Sequence, residues 1–212
     1  MQIRYFLLFL FLLVFSASHS KTKKFGTWVE LEFTKKLFKD WEFSFIPEVR
    51  FQDDFSVDEY IFEGKLGYEP FKFLDLAAAY RYNTNVKNSG NEHSHSAVFD
   101  ITGKTEFDRF EGSLRGRFTN DTDGGDVPWE TFYFRPRVKL TYNIKGNKIE
   151  PFVNYELFMN LKESDIYKGR FDAGFTRKLG DLHRIGLYYR LQDYFSDRNS
   201  VHILGIDYRL KF

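Results

Sequence analysis

Tyr208-Arg209-Leu210-Lys211-Phe212 alternates apolar and charged residues and ends on an aromatic. Read backwards from Phe212, one set of alternate positions holds His202, Leu204, Ile206, Tyr208 and Leu210. The other set holds Val201, Ile203, Gly205, Asp207, Arg209 and Lys211. A period of two places each set on one face of a β-strand. The same period recurs in eleven segments, near 25–34, 41–51, 59–69, 73–83, 95–107, 110–119, 130–142, 149–159, 167–177, 183–194 and 201–212. In the sixth, Phe110, Gly112, Leu114, Gly116 and Phe118 alternate with Glu111, Ser113, Arg115, Arg117 and Thr119. Most segments approach the ~9–11 residues that a tilted strand needs to cross a bilayer.

Composition agrees with strands that have one apolar and one polar face. Aromatics make up 20% of the 212 residues, yet 29% are charged, so the apolar residues do not dilute the ionised ones. Mean hydropathy is −0.45, and no segment beyond the N-terminus has the continuous apolar length of a membrane helix. The size fits one domain. A net charge of +1 gives no bulk electrostatic case for nucleic acid. The absence of cysteine excludes a disulfide scaffold, a thiolate metal site, a cysteine nucleophile and a lipidated N-terminal Cys.

The N-terminus has the pattern of a secretory signal. Arg4 precedes an apolar run from Phe6 to Phe15, and Ser16-Ala17-Ser18 or Ser18-His19-Ser20 offers small residues for cleavage. The expectation is a signal peptide at 1–20 and a single domain at 21–212. Short connections near 35–40, 70–72, 108–109, 143–148 and 178–181 alternate with longer polar ones near 52–58, 84–94, 120–129, 160–166 and 195–200. That alternation fits an all-β, antiparallel transmembrane barrel of 10–12 strands with its apolar face outward and a charged lumen. An even count, ten or twelve, is expected, because bacterial single-chain barrels are even-numbered. Pro47, Pro136 and Pro151 fall on apolar faces within segments, and bulges are expected to accommodate them. A soluble, lipocalin-like barrel with the apolar face inward is the alternative. Long ionised residues on nearly every strand and Tyr and Trp near segment ends favour the membrane form.

The terminal pattern Gly205, Tyr208, Leu210 and Phe212 resembles the assembly signal of outer-membrane barrels of Gram-negative bacteria. That likeness implies outer-membrane lipid and the barrel-assembly machinery as partners. Gly26-Thr27-Trp28-Val29-Glu30-Leu31, Glu48-Val49-Arg50-Phe51, Gly67-Tyr68 and Ala79-Tyr80-Arg81-Tyr82 together resemble domain-of-unknown-function family 2490. Its members look like outer-membrane barrels. The resemblance implies a fold and an outer-membrane location, and it carries no chemistry.

The polar face holds the candidate site. Glu30, Glu32, Glu42, Glu48, Arg50 and Glu63 gather on the first three segments. Arg115, Arg117, Arg135, Arg137 and Lys139 lie on the sixth and seventh, with Arg184 and Arg190 on the tenth. Half a barrel apart, the two groups face each other across the lumen. They make either a polarised pore or a lattice of ion pairs that fills it. The leading expectation is a small channel or a structural envelope component. The contrasting class is an outer-leaflet lipid-modifying enzyme using His93-Ser94-His95-Ser96 beside Glu92, or Asp193, Ser196, Ser200 and His202. Neither set matches a specific motif, so no catalytic residue is assigned. Asp121-Thr122-Asp123-Gly124-Gly125-Asp126 departs from calcium-loop spacing and reads as a solvated turn. No metal or cofactor is expected.

Overall fold

The computed structural model describes residues 22–120, 131–196 and 199–212. The expected signal segment and the acidic stretch 121–126 lie outside these residues. The described chain is eleven strands: β1 (Thr22–Phe38), β2 (Trp41–Phe51), β3 (Val57–Phe71), β4 (Leu74–Asn85), β5 (Glu92–Phe107), β6 (Phe110–Thr119), β7 (Tyr133–Tyr142), β8 (Ile149–Asn160), β9 (Asp165–Leu179), β10 (His183–Tyr194) and β11 (Asn199–Lys211). They close into one barrel in sequence order.

Every segment read from the two-residue period is a strand, but the expected even count is wrong. With an odd number of up-and-down strands, the first and last run in the same direction. The closing seam must then be parallel. β1 and β11 pair in parallel, without a break, from Thr22 opposite Asn199 to Thr34 opposite Lys211. All other neighbours are antiparallel. At 17 residues β1 is the longest strand, and it pairs with β11 along one edge and β2 along the other. Two backbone bonds extend the closure beyond the ladder. The Phe212 N–H donates to the Thr34 carbonyl at 2.9 Å, and the Lys36 N–H to the Phe212 carbonyl at 3.3 Å.

The prolines do not create bulges. Register shifts fall elsewhere, at Lys36/Phe38, Arg50/Phe51, Tyr68/Phe71 and Phe158/Met159. Opposite Pro47 the β1–β2 ladder resumes in the same register after skipping two pairs, and the β7–β8 ladder does the same at Pro136. A missing N–H deletes a local bridge, and the flanking pairs are enough to hold the alignment. Pro151 lies just past the last β7–β8 pair, where its own N–H is not needed.

Exposure separates the two faces. Leu114 is 60% and Val138 58% exposed, whereas Arg115 and Arg117 are each 8% exposed. Apolar side chains therefore cover the outside, and the interior is ionised, the reverse of a lipocalin-like interior. On the wall formed by β10 and β11, missing side chains make room for large ones. A Cβ at Gly205 would overlap the Tyr188 ring, and one at Gly186 would overlap the Asp207 carboxylate.

Candidate functional site: the barrel interior

The two halves of the interior differ. Short connections and Phe212 mark one end, and the longer connections mark the other. In the half nearer the long loops, large apolar side chains point inward: Ile61, Val98, Phe158 and Ile203 are all buried. Trp28 and Phe158 carry the packing across the barrel. The Arg50 guanidinium lies 3.8 Å from the Trp28 ring centre, with Arg190 at 4.7 Å and Arg170 at 5.3 Å. Arg170 also lies 4.8 Å from the Phe158 ring, and Arg135 and Lys168 lie 4.1 and 3.9 Å from it. The result is a cation–aromatic layer that reaches from β2 through β1, β10, β9 and β8 to β7.

Ion pairs bind this layer to the wall. Glu156 takes Arg115 at 2.6 Å, Arg135 at 3.3 Å and Arg170 at 3.5 Å. Asp100 holds Arg117 through two bonds, at 2.8 and 2.7 Å, and Asp172 holds Arg190 in the same way, at 2.7 and 2.8 Å. Glu63 takes Arg81 at 3.0 and 2.6 Å. Arg50 reaches Glu48 at 2.5 Å and Glu59 at 2.6 Å. Nearer the short turns, Glu32 meets Lys65 and Arg209, Glu42 meets Lys211, and Glu150 meets Lys178 and Arg184. Paired, hydrogen-bonded ions are the form in which buried charge is tolerated.

The sequence expectation of acids on one side facing bases on the other is therefore largely replaced by neighbour pairing. Among the described residues, Glu30 and Asp207 on one side and Arg137 and Lys139 on the other have no ion-pair partner. Lys139 instead lies 4.6 Å from the Phe152 ring. Cavities remain toward the short turns. One of about 500 Å³ reaches the β1–β2 turn at Lys39 and Asp40, and a second of about 220 Å³ lies deeper. Lys65, Arg115, Arg117, Arg137 and Arg209 line both. A third, of about 170 Å³, includes Ser113, Lys139 and Arg184.

The two acyl-transfer candidates come apart. Ser94 and Ser96 point inward, whereas His93 and His95 point outward, because neighbours on a strand face opposite ways. His93 Nδ1 is 2.8 Å from the Tyr82 hydroxyl and 3.1 Å from that of Thr84. His95 Nδ1 is 2.5 Å from the Tyr80 hydroxyl. In the last hairpin Ser200 donates to Asp193 at 2.5 Å, while His202 Nδ1 faces the Tyr189 hydroxyl at 2.5 Å. Among the described residues no histidine is hydrogen-bonded to a serine. The Tyr–His pairs extend the aromatic rims, where Trp41 also stacks on Tyr68 at 4.5 Å.

A family model described as protein of unknown function, DUF2490, matches residues 25–201. The chain belongs to that family. No curated protein and no solved structure matches it. In this DUF2490 member the matched span runs from the start of the β1 seam into β11, so the family pattern covers the barrel and the ionised interior. Several residues are not assigned to the interior by sequence: Asp100, Glu156, Phe158, Lys168, Arg170 and Asp172, with Trp28 and Arg81 entering only as part of the family resemblance. All occupy inward positions of their strands. The signal that identifies Glu156 is the alternation of β8, with Glu150, Asn154 and Glu156 on one face. Phe152 and Phe158 share that face and disguise it as apolar. Trp28 was hidden in the same way, as an aromatic on the polar face of β1.

Proposed function

We propose that this DUF2490 protein is an outer-membrane barrel that closes its own lumen, an envelope component and not a constitutively open channel. One observation carries the reading: an exposed apolar exterior encloses an ionised interior that is bridged from wall to wall. An apolar outer surface continuous around a barrel needs a nonaqueous neighbour. The Arg50–Trp28–Arg170–Phe158–Arg135 layer supports closure, because a solute would have to separate paired charges from aromatic faces to pass. On this reading outer-membrane lipid surrounds the barrel, the barrel-assembly machinery inserts it after removal of residues 1–20, and the short turns face the periplasm.

The test has two parts. Fractionated cells should hold the protein in the outer membrane, and it should migrate differently in detergent gels before and after boiling. Recovery in the soluble periplasm without detergent would overturn the location. Purified protein in planar bilayers should leave the membrane electrically sealed. Steady conductance at low voltage would restore the channel reading.

A further inference from the structure

In the ladder between β6 and β7, Arg115 stands opposite Arg137 and Arg117 opposite Arg135. Like charges placed directly across a strand pair are destabilising. Four guanidiniums thus form a block, with Lys139 one inward position beyond it. Two carboxylates reach the block: Asp100 is taken by Arg117, and Glu156 is shared by Arg115, Arg135 and Arg170. Arg137 pairs with Glu156 in the backbone register, yet the Glu156 side chain goes to the other three.

The Nε atoms of Arg115 and Arg137 are buried and have no hydrogen-bond partner. Both side chains line the cavity of about 500 Å³ that reaches the short-turn rim. Nine cationic and five carboxylate side chains line this cavity, so its wall carries a surplus of positive charge. Most of those carboxylates are already engaged: Asp100 by Arg117, Glu42 by Lys211, and Asp75 and Glu69 by Lys104. The volume lies within the roughly 300–1,000 Å³ of small-molecule sites. Neighbouring guanidinium groups on one cavity wall suit the paired oxygens of phosphate-type anions, which such a group grips through two N–H bonds at once.

We propose that the short-turn half of the barrel is a binding cup for a water-soluble, multiply charged oxyanion of the phosphate class, held by Arg115 and Arg137. The anion enters past Lys39 and stops at the cation–aromatic layer, so binding requires no passage through the barrel. The site depends on the barrel interior alone, and its calorimetric test is independent of location and conductance.

The folded full-length chain in detergent, at low ionic strength, is titrated with inorganic pyrophosphate. Binding is followed by calorimetry and by the temperature at which the gel shift is lost. A saturable rise in that temperature is expected, and sodium chloride at matched ionic strength should not reproduce it. Arg137→Gln should weaken binding at least tenfold. It should also unfold at a higher temperature than the unsubstituted chain in anion-free buffer, since it removes a like-charge contact. Lys178→Gln, which removes a half-exposed cation paired with Glu150 at the rim and outside the cup, should leave pyrophosphate affinity unchanged. Equal weakening by both substitutions, or a chloride effect of the same size, overturns the site, as does undiminished binding by Arg137→Gln. If Arg137→Gln does not fold, Arg137→Lys carries the test. It keeps the charge without the paired donors and should bind severalfold more weakly, and undiminished binding overturns the proposal.

Discussion

Glu156 shows what a single residue does in this interior. Its carboxylate is shared among three guanidiniums, on β6, β7 and β9. Glu156→Gln keeps the shape and removes the charge that all three need. Breaking a buried pair by removing one partner costs about 3–5 kcal/mol. The temperature at which boiling unfolds the barrel should drop sharply. Adding Arg115→Gln should recover part of that loss, a non-additivity readable in a double-mutant cycle. The faces offer a second test. Leu114 is on the outside, and its neighbour Ser113 borders the interior cavity of about 170 Å³. An Arg on a lipid-facing midplane position costs about 2–4 kcal/mol. Leu114→Arg should therefore depress folding yield in lipid vesicles far more than Ser113→Arg, and equal yields would reverse the faces. Sequence alone separated Leu114 from Arg115, because alternation fixes which residues share a face. It did not reveal which carboxylate each arginine takes. Those partners lie on other strands, and the choice depends on side-chain reach: Arg137 is level with Glu156 and does not receive it.

At the scale of strands, the closure is the unusual element. All eleven strands were legible, since each carries its own two-residue period. The parallel seam was not, because an even count is the expectation for such barrels and only an odd count makes the first and last strands run the same way. The parallel register places Thr27 beside Leu204, both on the outer face. Adjacent strands lie about 4.8 Å apart, within the Cα separation that a disulfide spans. The chain has no cysteine of its own, so an engineered pair is unambiguous. Thr27→Cys with Leu204→Cys should cross-link on mild oxidation of the folded barrel. Thr27→Cys with Leu210→Cys, six residues away along β11, should not. Efficient cross-linking of the second pair, or of neither, would mean that β1 does not close the barrel as described. Gly205 tests the same wall from inside. Gly205→Ala should lower the unfolding temperature, because its methyl group meets the Tyr188 ring, and Tyr188→Ala should largely relieve it. If relief is absent, the ring is not what requires the glycine.

The whole molecule combines a packed half and a hollow half, and the difference follows from what the inward positions hold. Toward the long loops, Trp28, Ile61, Val98, Phe158 and Ile203 occupy buried inward positions, and guanidiniums stack on Trp28 and Phe158 above the cavity of about 220 Å³. Toward the short turns most of the inward side chains around the cavity are Lys, Arg, Glu and Asp, whose ionised ends favour water, so the space stays open. Eleven strands lie between the roughly eight whose interior side chains fill and the sixteen that leave a channel. Closure at this width therefore depends on a few large side chains. Trp28 gives the most direct test, since one indole faces Arg50, Arg170 and Arg190. Trp28→Ala removes the surface on which three cations rest and leaves Glu48 and Glu59 to hold Arg50, Asp172 to hold Arg190, and Glu156 and Gln192 to hold Arg170 at the wall. Water can then enter between β1 and β8. The unsubstituted barrel should keep a planar bilayer sealed, and Trp28→Ala should give small, flickering conductance steps while retaining its gel shift. Phe158→Ala, at the other end of the same layer, should add to the effect. A folded Trp28→Ala, Phe158→Ala double variant that still seals the bilayer would place the barrier elsewhere, in the ion pairs themselves.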